Sequence, residues 1–299
     1  MSDPVVQLPT NRAIVLYNAT CAYCGQPFDT SVVKTKEHVI GRRFVPKGIL
    51  DGQWNLILNA CKDCNGDKAD LEDDISAISM MPDQFGCYAI DDARLQAEVQ
   101  RKATKAQSRR TGRAVSDSRE QIEIKGSLGA ATFTFKLTAP AQVEQARLYR
   151  LAHYHFRGFF YWLTYQLDRN FGSFIHGAFF PLTVVRRSDW GAPRPRWFME
   201  IARDWQLCLC AIGADTFFKV LIRRHPENLA VWLWALEWNH SMRIVGFAGN
   251  EDVIRSLLSS APDQPNDLRY ETDKELTVLR KETSLPEDDD DLFNSVGGL

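Results

Sequence analysis

Two cysteine pairs, Cys21-Ala-Tyr-Cys24 and Cys61-Lys-Asp-Cys64, frame the part of this sequence where reactive side chains are densest. Four thiolates with two residues inside each pair have the spacing of a tetrahedral zinc site. The segment between the pairs is longer than a simple zinc ribbon needs. It carries Glu37-His38 and Asn55, while Asn65 and Lys68 follow the second pair directly. These side chains suit phosphodiester hydrolysis, which needs an activated water, a cation to neutralise charge on phosphorus, and stabilisation of the departing oxygen. His38 titrates near neutrality and is the best base at hand. Glu37 offers a hard oxygen to Mg²⁺ and Asn65 a neutral one, and two protein ligands suffice for an ion that keeps several waters. Lys68, one helical turn after Asn65, is placed to reach a phosphate oxygen. The amide of Asn55 suits pinning the loop and the imidazole. The alternative for the same cysteines is a zinc-stabilised treble clef that binds nucleic acid or protein without cutting.

The elements that must position these groups follow from local pattern. Val32–Val39 reads as a half-exposed strand, GRRFVPKGILDGQ as a loop, and Asn55–Asn59 as a second strand. A helix follows through Lys68, Leu71 and Ile75, with Asn65 as its expected cap and Asp67, Asp70 and Glu72-Asp73-Asp74 crowding its first turns. Gly25-Gln26-Pro27 supplies the tight turn of a zinc knuckle. In an ideal strand Glu37 and His38 point to opposite faces. They can serve one phosphate only if the strand ends or bends there, or if the helix packs across it. In so small a unit zinc replaces most of a hydrophobic core.

In order and type, residues from about 15 to 80 resemble the HNH endonucleases, the zinc-bound branch of the ββα-metal nucleases. The matching positions are Cys21 and Cys24, Glu37-His38, Asn55-Leu56, Cys61 and Cys64, Asn65 and Lys68. The resemblance implies His38 as general base and Glu37 and Asn65 as ligands of a catalytic Mg²⁺ or Mn²⁺. It implies Asn55 as the loop-orienting residue and the four cysteines as ligands of a structural Zn²⁺. Glu37 stands where Asp is commoner, and Asn65 where many members have His, which favours a hard cation. The expected activity is endonucleolytic cleavage of DNA, with RNA left open, in bacterial defence against phage or other foreign DNA. Protein partners of a defence complex would then engage the C-terminal domain or the acidic tail. A non-catalytic nucleic-acid-binding module and a stand-alone homing or restriction-like nuclease are the competing readings.

The 299 residues, 44% hydrophobic and 25% charged, are ordinary globular material with room for two modest domains, and the net charge of -2 restricts any attraction to nucleic acid to local patches. The expected class is α+β, in four parts. Residues 1–84 form the zinc-stabilised treble-clef/ββα-metal unit, 85–120 a basic helical connector or arm, 121–260 a mixed helix and antiparallel-sheet domain, and 261–299 an acidic tail, disordered or loosely attached. Arg42, Arg43, Arg101, Lys102, Lys105, Arg109, Arg110 and Arg113 are the candidate phosphate-tracking residues, with SRRTGR as a flexible stretch. The second domain reads as a hairpin turning near Leu128-Gly129, an aromatic helix within Ala141–Leu167, a helix around Arg194–Trp205, and apolar strands punctuated by His225-Pro226 and Asn239-His240. His153, His155, Trp232, Trp234 and Trp238 are expected to pack. Cys208 and Cys210 are expected to share one buried face of a strand. The start lacks the pattern of a signal peptide and no apolar run spans a membrane, so a reducing cytoplasm is the expected location.

Overall fold

The computed structural model describes residues 12–83, 86–128, 131–263, 268–271, 276–279 and 281–293. The fold is mixed α+β. Strands β1 (Ile14–Val15), β2 (Lys34–His38) and β3 (Leu56–Cys61) form a sheet in the order β1-β3-β2. The central strand is buried along nearly its whole length. β2 runs antiparallel to it, with Lys34 opposite Cys61 and His38 opposite Ile57. Helix α1 (Lys62–Ser79) starts where β3 ends, and its N-cap is Cys61, whose sulfur accepts the N–H of Cys64. Asn65 therefore lies inside the helix instead of capping it. The thiol does for the amide what an Asn side chain does elsewhere.

Helix α2 (Ala93–Ala103), capped by Asp92, packs on α1. β4 (Glu120–Leu128) and β5 (Ala131–Ala139) pair as the expected hairpin, and its tip at 129–130 lies outside the described residues. Helix α3 (Gln145–Leu163) is shorter than its apolar tract. The Thr164 hydroxyl stops it by donating to Phe160 O at 2.9 Å and accepting from Ser173 N at 2.8 Å.

β6 (Ala178–Arg186), helix α4 (Pro193–Asp204), β7 (Gln206–Gly213), β8 (Phe218–Arg224), β9 (Val231–Trp238), β10 (Met242–Gly249) and helix α5 (Glu251–Leu258) complete the larger unit. Its antiparallel sheet has the order β6-β10-β9-β8-β7, so the expected meander is present and is extended at both edges. β6 carries Pro181, which argues against a central strand. It is accommodated at an edge, opposite Gly246 at a break in register. Asn239 and His240 are the central residues of a turn closed by Ser241 N donating to Trp238 O at 3.1 Å, and their φ of 50° and 57° is the left-handed pair a type I′ turn requires.

Both faces of this sheet are covered. Trp234, Leu236 and Trp238 face α3, whereas Leu233, Ala235 and Phe247 meet Phe198 and Met199 of α4. Cys208 and Cys210 do not share a face. A register break between Leu207 and Leu209 turns Cys208 toward the α3 side, while Cys210 joins the opposite cluster. After the hairpin of β11 (Leu268–Glu271) and β12 (Leu276–Leu279), residues 281–293 lie on the outer face, contrary to the loose tail expected. Leu292 and Phe293 are buried there, and Asp290 meets Arg243 at 2.6 Å. Arg243, almost wholly buried under the Trp190 ring, needs Asp290 and Glu237 to offset its charge. No helix among the described residues is long and apolar enough to cross a membrane.

A single cluster of buried side chains runs from Leu16 and Tyr23 through Phe156 and Phe159 to Trp234 and Trp238, crossing the domain boundaries expected from sequence. Trp54 donates to Ile212 O at 2.9 Å, and Asn239 at the hairpin tip donates to Phe44 O and Ser79 Oγ. Gly158 of α3 lies so close to Val39 that a Cβ there would sit 2.8 Å from a valine methyl. Gly158→Ala should therefore destabilise the protein by about 1–3 kcal/mol in urea unfolding, overpacking outweighing the gain in helix propensity. A stabilised variant would refute the close approach.

Candidate functional site

The cysteine tetrad forms where three local structures meet. The turn through Gly25, with φ of 79°, brings Cys21 and Cys24 round, with Gly25 N donating to Cys21 O at 2.9 Å. The junction of β3 and α1 supplies Cys61 and Cys64. The four sulfurs all lie within 4.8 Å of one another and could bind a metal such as zinc. Backbone amides point at the sulfurs: Cys61 N and Tyr23 N donate to Cys21 Sγ at 3.2 and 3.4 Å, and Cys64 N donates to Cys61 Sγ at 3.4 Å. These donors and the neighbouring Cys64 thiol suit a thiolate. The Cys21 thiol is pulled down to about 4, first by its bond with Cys64 and against the opposing effect of burial. The donor set is all sulfur, which fits zinc and not a hard cation.

β2 begins at Lys34, opposite Cys61 of the tetrad, and ends four residues on at His38, opposite Ile57. Asn55 holds the turn that follows, donating to Ile40 O at 2.8 Å and accepting from Ile40 N at 3.3 Å. Asn55 thus clamps the backbone after His38. A cleft of about 580 Å³ opens here, lined among others by Glu37, His38, Arg42, Arg43, Asn65 and Lys105. The end of the strand lets Glu37 and His38, neighbours on opposite faces, both reach its wall. His38 is half-buried, and its imidazole is held below the usual histidine range, first by burial and then by Arg42 and Lys36. Asn65 donates its amide to Thr35 Oγ1 at 2.9 Å, an arrangement that leaves the amide oxygen as its acceptor.

Lys68 is not where the sequence reading puts it. Its ammonium is buried and absent from the cleft wall, lying 2.8 Å from Glu37 Oε1 and 2.5 Å from Glu72 Oε1, with His38 O at 3.3 Å. Two carboxylates outcompete a phosphate for a desolvated ammonium, so Lys68 is a buried counter-ion. Tyr23 adds a donor to Glu37 Oε1 at 3.3 Å. Burial pushes the Glu37 carboxyl up, with Lys68 opposing. Burial acts the same way on Glu72, but Lys68 and His155 outweigh it and hold that carboxyl below its usual range. His155, fully buried, lies 3.5 Å from Glu72 through Nε2, and burial pushes its imidazole down to about 4, so the ring is neutral. It packs edge-on to Phe44, Phe218 and Trp238. His153 stacks on Phe179, as expected for packing.

His155 packs as expected, but the contacts of Glu72 and His155 with the buried ammonium cluster were not foreseen. Glu72 was within reach, because Lys68 and Glu72 are an i,i+4 pair on one helix. His155 had no local signal, since it arrives from α3.

The expected basic arm is largely folded onto α1. Lys102 is buried, donating to Arg43 O and to Ser76 Oγ at 3.0 Å, and burial pushes its ammonium down to about 8 against the pull of Glu98. Arg101 pairs with Glu98 at 2.5 Å and Arg109 with Asp70 at 2.6 Å. The SRRTGR stretch is a closed loop, with Ser108 N donating to Arg113 O and Gly112 N to Ser108 O, each at 2.8 Å. Arg110 and Arg113 are exposed but do not line the cleft. The exposed cations on its wall are Arg42, Arg43 and Lys105, together with Lys36 and Arg101.

Among the described residues, the one group of three or more cysteines, histidines and acids placed to hold a metal is the tetrad. Comparisons with protein-family models, with curated proteins and with solved structures found no match.

Two outcomes follow for the purified protein. Cys61→Ser removes a sulfur and the cap of α1 together, and should abolish stoichiometric zinc with a loss of stability of several kcal/mol, read by elemental analysis and thermal unfolding. A variant with full zinc content would refute the ligand set. Lys68→Ala leaves Glu37 and Glu72 facing each other without a counter-charge, which should cost about 3–5 kcal/mol in chemical unfolding. A neutral effect would show that the pair is not buried in solution.

Proposed function

We propose that the chain is a metal-dependent endonuclease of the HNH type, hydrolysing phosphodiester bonds of nucleic acid in the cleft beside the cysteine tetrad. One observation carries this reading: His38, Glu37 and Asn65 converge on a single cleft with cationic walls, next to four sulfurs arranged for a structural zinc. Arg42, Arg43 and Lys105 are exposed there to meet phosphate oxygens. His38 takes the proton of the attacking water, its loop held still by the Asn55 clamp. Glu37 and the Asn65 amide oxygen would hold a divalent cation such as Mg²⁺ or Mn²⁺, with waters and phosphate oxygens filling the remaining positions. When bound, that cation neutralises charge on phosphorus and on the leaving 3' oxygen, giving a 5' phosphate product. Zinc in the tetrad is scaffold, tying α1 and Asn65 to the knuckle. DNA is the proposed substrate, and defence against foreign DNA the proposed setting.

A second reading has its own support. Glu37 is already engaged by Lys68 and Tyr23, an arrangement that also suits a non-catalytic nucleic-acid-binding module.

One experiment separates the two. The zinc-loaded protein is incubated with supercoiled plasmid and Mg²⁺ or Mn²⁺. Nicking or linearisation is expected, and His38→Ala should lower the rate at least about a hundredfold while zinc content and melting temperature stay unchanged. Binding without cleavage in any divalent ion, or undiminished cleavage by His38→Ala, would sink the nuclease reading. Replacing Arg42, Arg43 and Lys105 by Gln should weaken binding to unrelated sequences alike and flatten its salt dependence by about one slope unit per lost contact. An effect confined to one sequence would contradict a backbone-tracking role.

A further inference from the structure

A cation-binding carboxylate beside a lysine poses an electrostatic difficulty. If the Lys68 ammonium paired with Glu37 alone, the pair would be neutral, on a cleft wall whose other charges are Lys36, Arg42, Arg43, Arg101, Lys102 and Lys105 against Asp73 and Glu72. A divalent ion would find little attraction there. Glu72 alters that balance. It lies closer to the ammonium than Glu37 does, 2.5 against 2.8 Å, so the trio Glu37, Lys68 and Glu72 keeps one net negative charge. The acid is held tightly in place. Gly41 passes so near that a Cβ would fall 2.2 Å from Glu72 Oε2, and His155 of α3 stands at 3.5 Å from the other oxygen. The His155 ring is fully buried and its nitrogens have no hydrogen-bond partner of good geometry, which leaves the Glu72 carboxylate as the polar group it contacts.

We propose that Glu72 and His155 are positioning residues for cation binding in the cleft: Glu72 shares the Lys68 ammonium, so that Glu37 presents net negative charge, and His155 fixes Glu72. This inference rests on the proposed role of Glu37. Lys68 has two parts in it. It holds the Glu37 carboxylate in a fixed direction, and through Glu72 it does so without cancelling that charge. The sharing also explains why the cleft tolerates a lysine at the carboxylate without an exposed ammonium.

The test is direct Mn²⁺ binding to the zinc-loaded full chain, followed by electron paramagnetic resonance of free Mn²⁺, with no substrate present. Wild-type protein should bind one Mn²⁺ that Glu37→Gln removes. Glu72→Gln should weaken binding at least about tenfold, the effect of one elementary charge a few ångströms away in a partly wet site. His155→Phe, which keeps the ring packing, should weaken it in the same direction by a smaller factor. The double variant Glu72→Gln with Lys68→Met returns one net negative charge to the wall and should recover most of the lost affinity. A purely structural role for Glu72 predicts no such recovery. Circular dichroism and zinc content of each variant identify any that have lost the fold. If the wild type binds no Mn²⁺ through Glu37, the metal role in the functional reading falls, and this inference with it. If the wild type binds but Glu72→Gln does not weaken it, or the double variant remains as weak as Glu72→Gln, the inference alone is overturned.

Discussion

An ammonium removed from water must be surrounded by acceptors, and Lys68 meets that requirement with groups from two elements. Glu37 and the His38 carbonyl come from β2, while Glu72 comes from its own helix one turn on. α3 closes the space through His155 and the tight passage of Gly158 over Val39. Much of the geometry of the cleft follows from this one buried charge. It fixes where β2 stops, how α1 lies across it, and which way Glu37 faces. The sulfur tetrad does the corresponding work at the start of α1, anchoring its first turn to the turn through Gly25. A helix held at two points against one strand keeps side chains from distant positions in a common geometry.

How much was legible in the sequence depends on whether the signal was local. The cysteine spacing, the strand before His38, the helix after Cys64 and the Asn239-His240 turn were all readable, because each is set by residues within a few positions. The meander was readable too, although β9 is buried on both faces and shows an unbroken apolar run instead of alternation. β6 had no counterpart in the sequence reading; Pro181 argues against a strand there, and pairing with Gly246 at a register break on a sheet edge makes the proline tolerable. Cys208 and Cys210 were placed on one face by the period of two, which fails where the strand carries an irregularity.

The juxtaposition of the candidate residues was legible more than their wiring. His38, Glu37 and Asn65 do meet in one cleft, and Asn55 does hold the adjoining loop. The fate of Lys68 was not readable from spacing alone. Position on a helix gives direction, but whether an ammonium meets water, phosphate or carboxylate depends on what packs over it, and here that is a strand from one side and a distant helix from the other. The basic run of residues 101–113 shows the same limit. Charge density along a chain says nothing of the acids it will fold against, and Glu98 and Asp70 take up two of those cations. The acidic tail mirrors this case, since its Asp290 serves a buried Arg243 that sequence gave no reason to expect beneath it.

The unbroken core between the cysteine-bearing unit and the five-stranded sheet bears on how such a chain changes over time. A segment that looks transferable in sequence, running from the first cysteine pair to the end of α1, has no finished surface of its own. Excised, it would expose Phe44 and Trp54 and leave the end of α1 without the hairpin tip that now contacts Ser79. Recombination at that seam would yield a sticky half-protein on each side. The two parts are thus bound to vary together, and substitutions on the inner face of the sheet should be answered by substitutions on α3 and around β2. What reads as a small module with an appendage is, by the logic of inheritance, one indivisible unit.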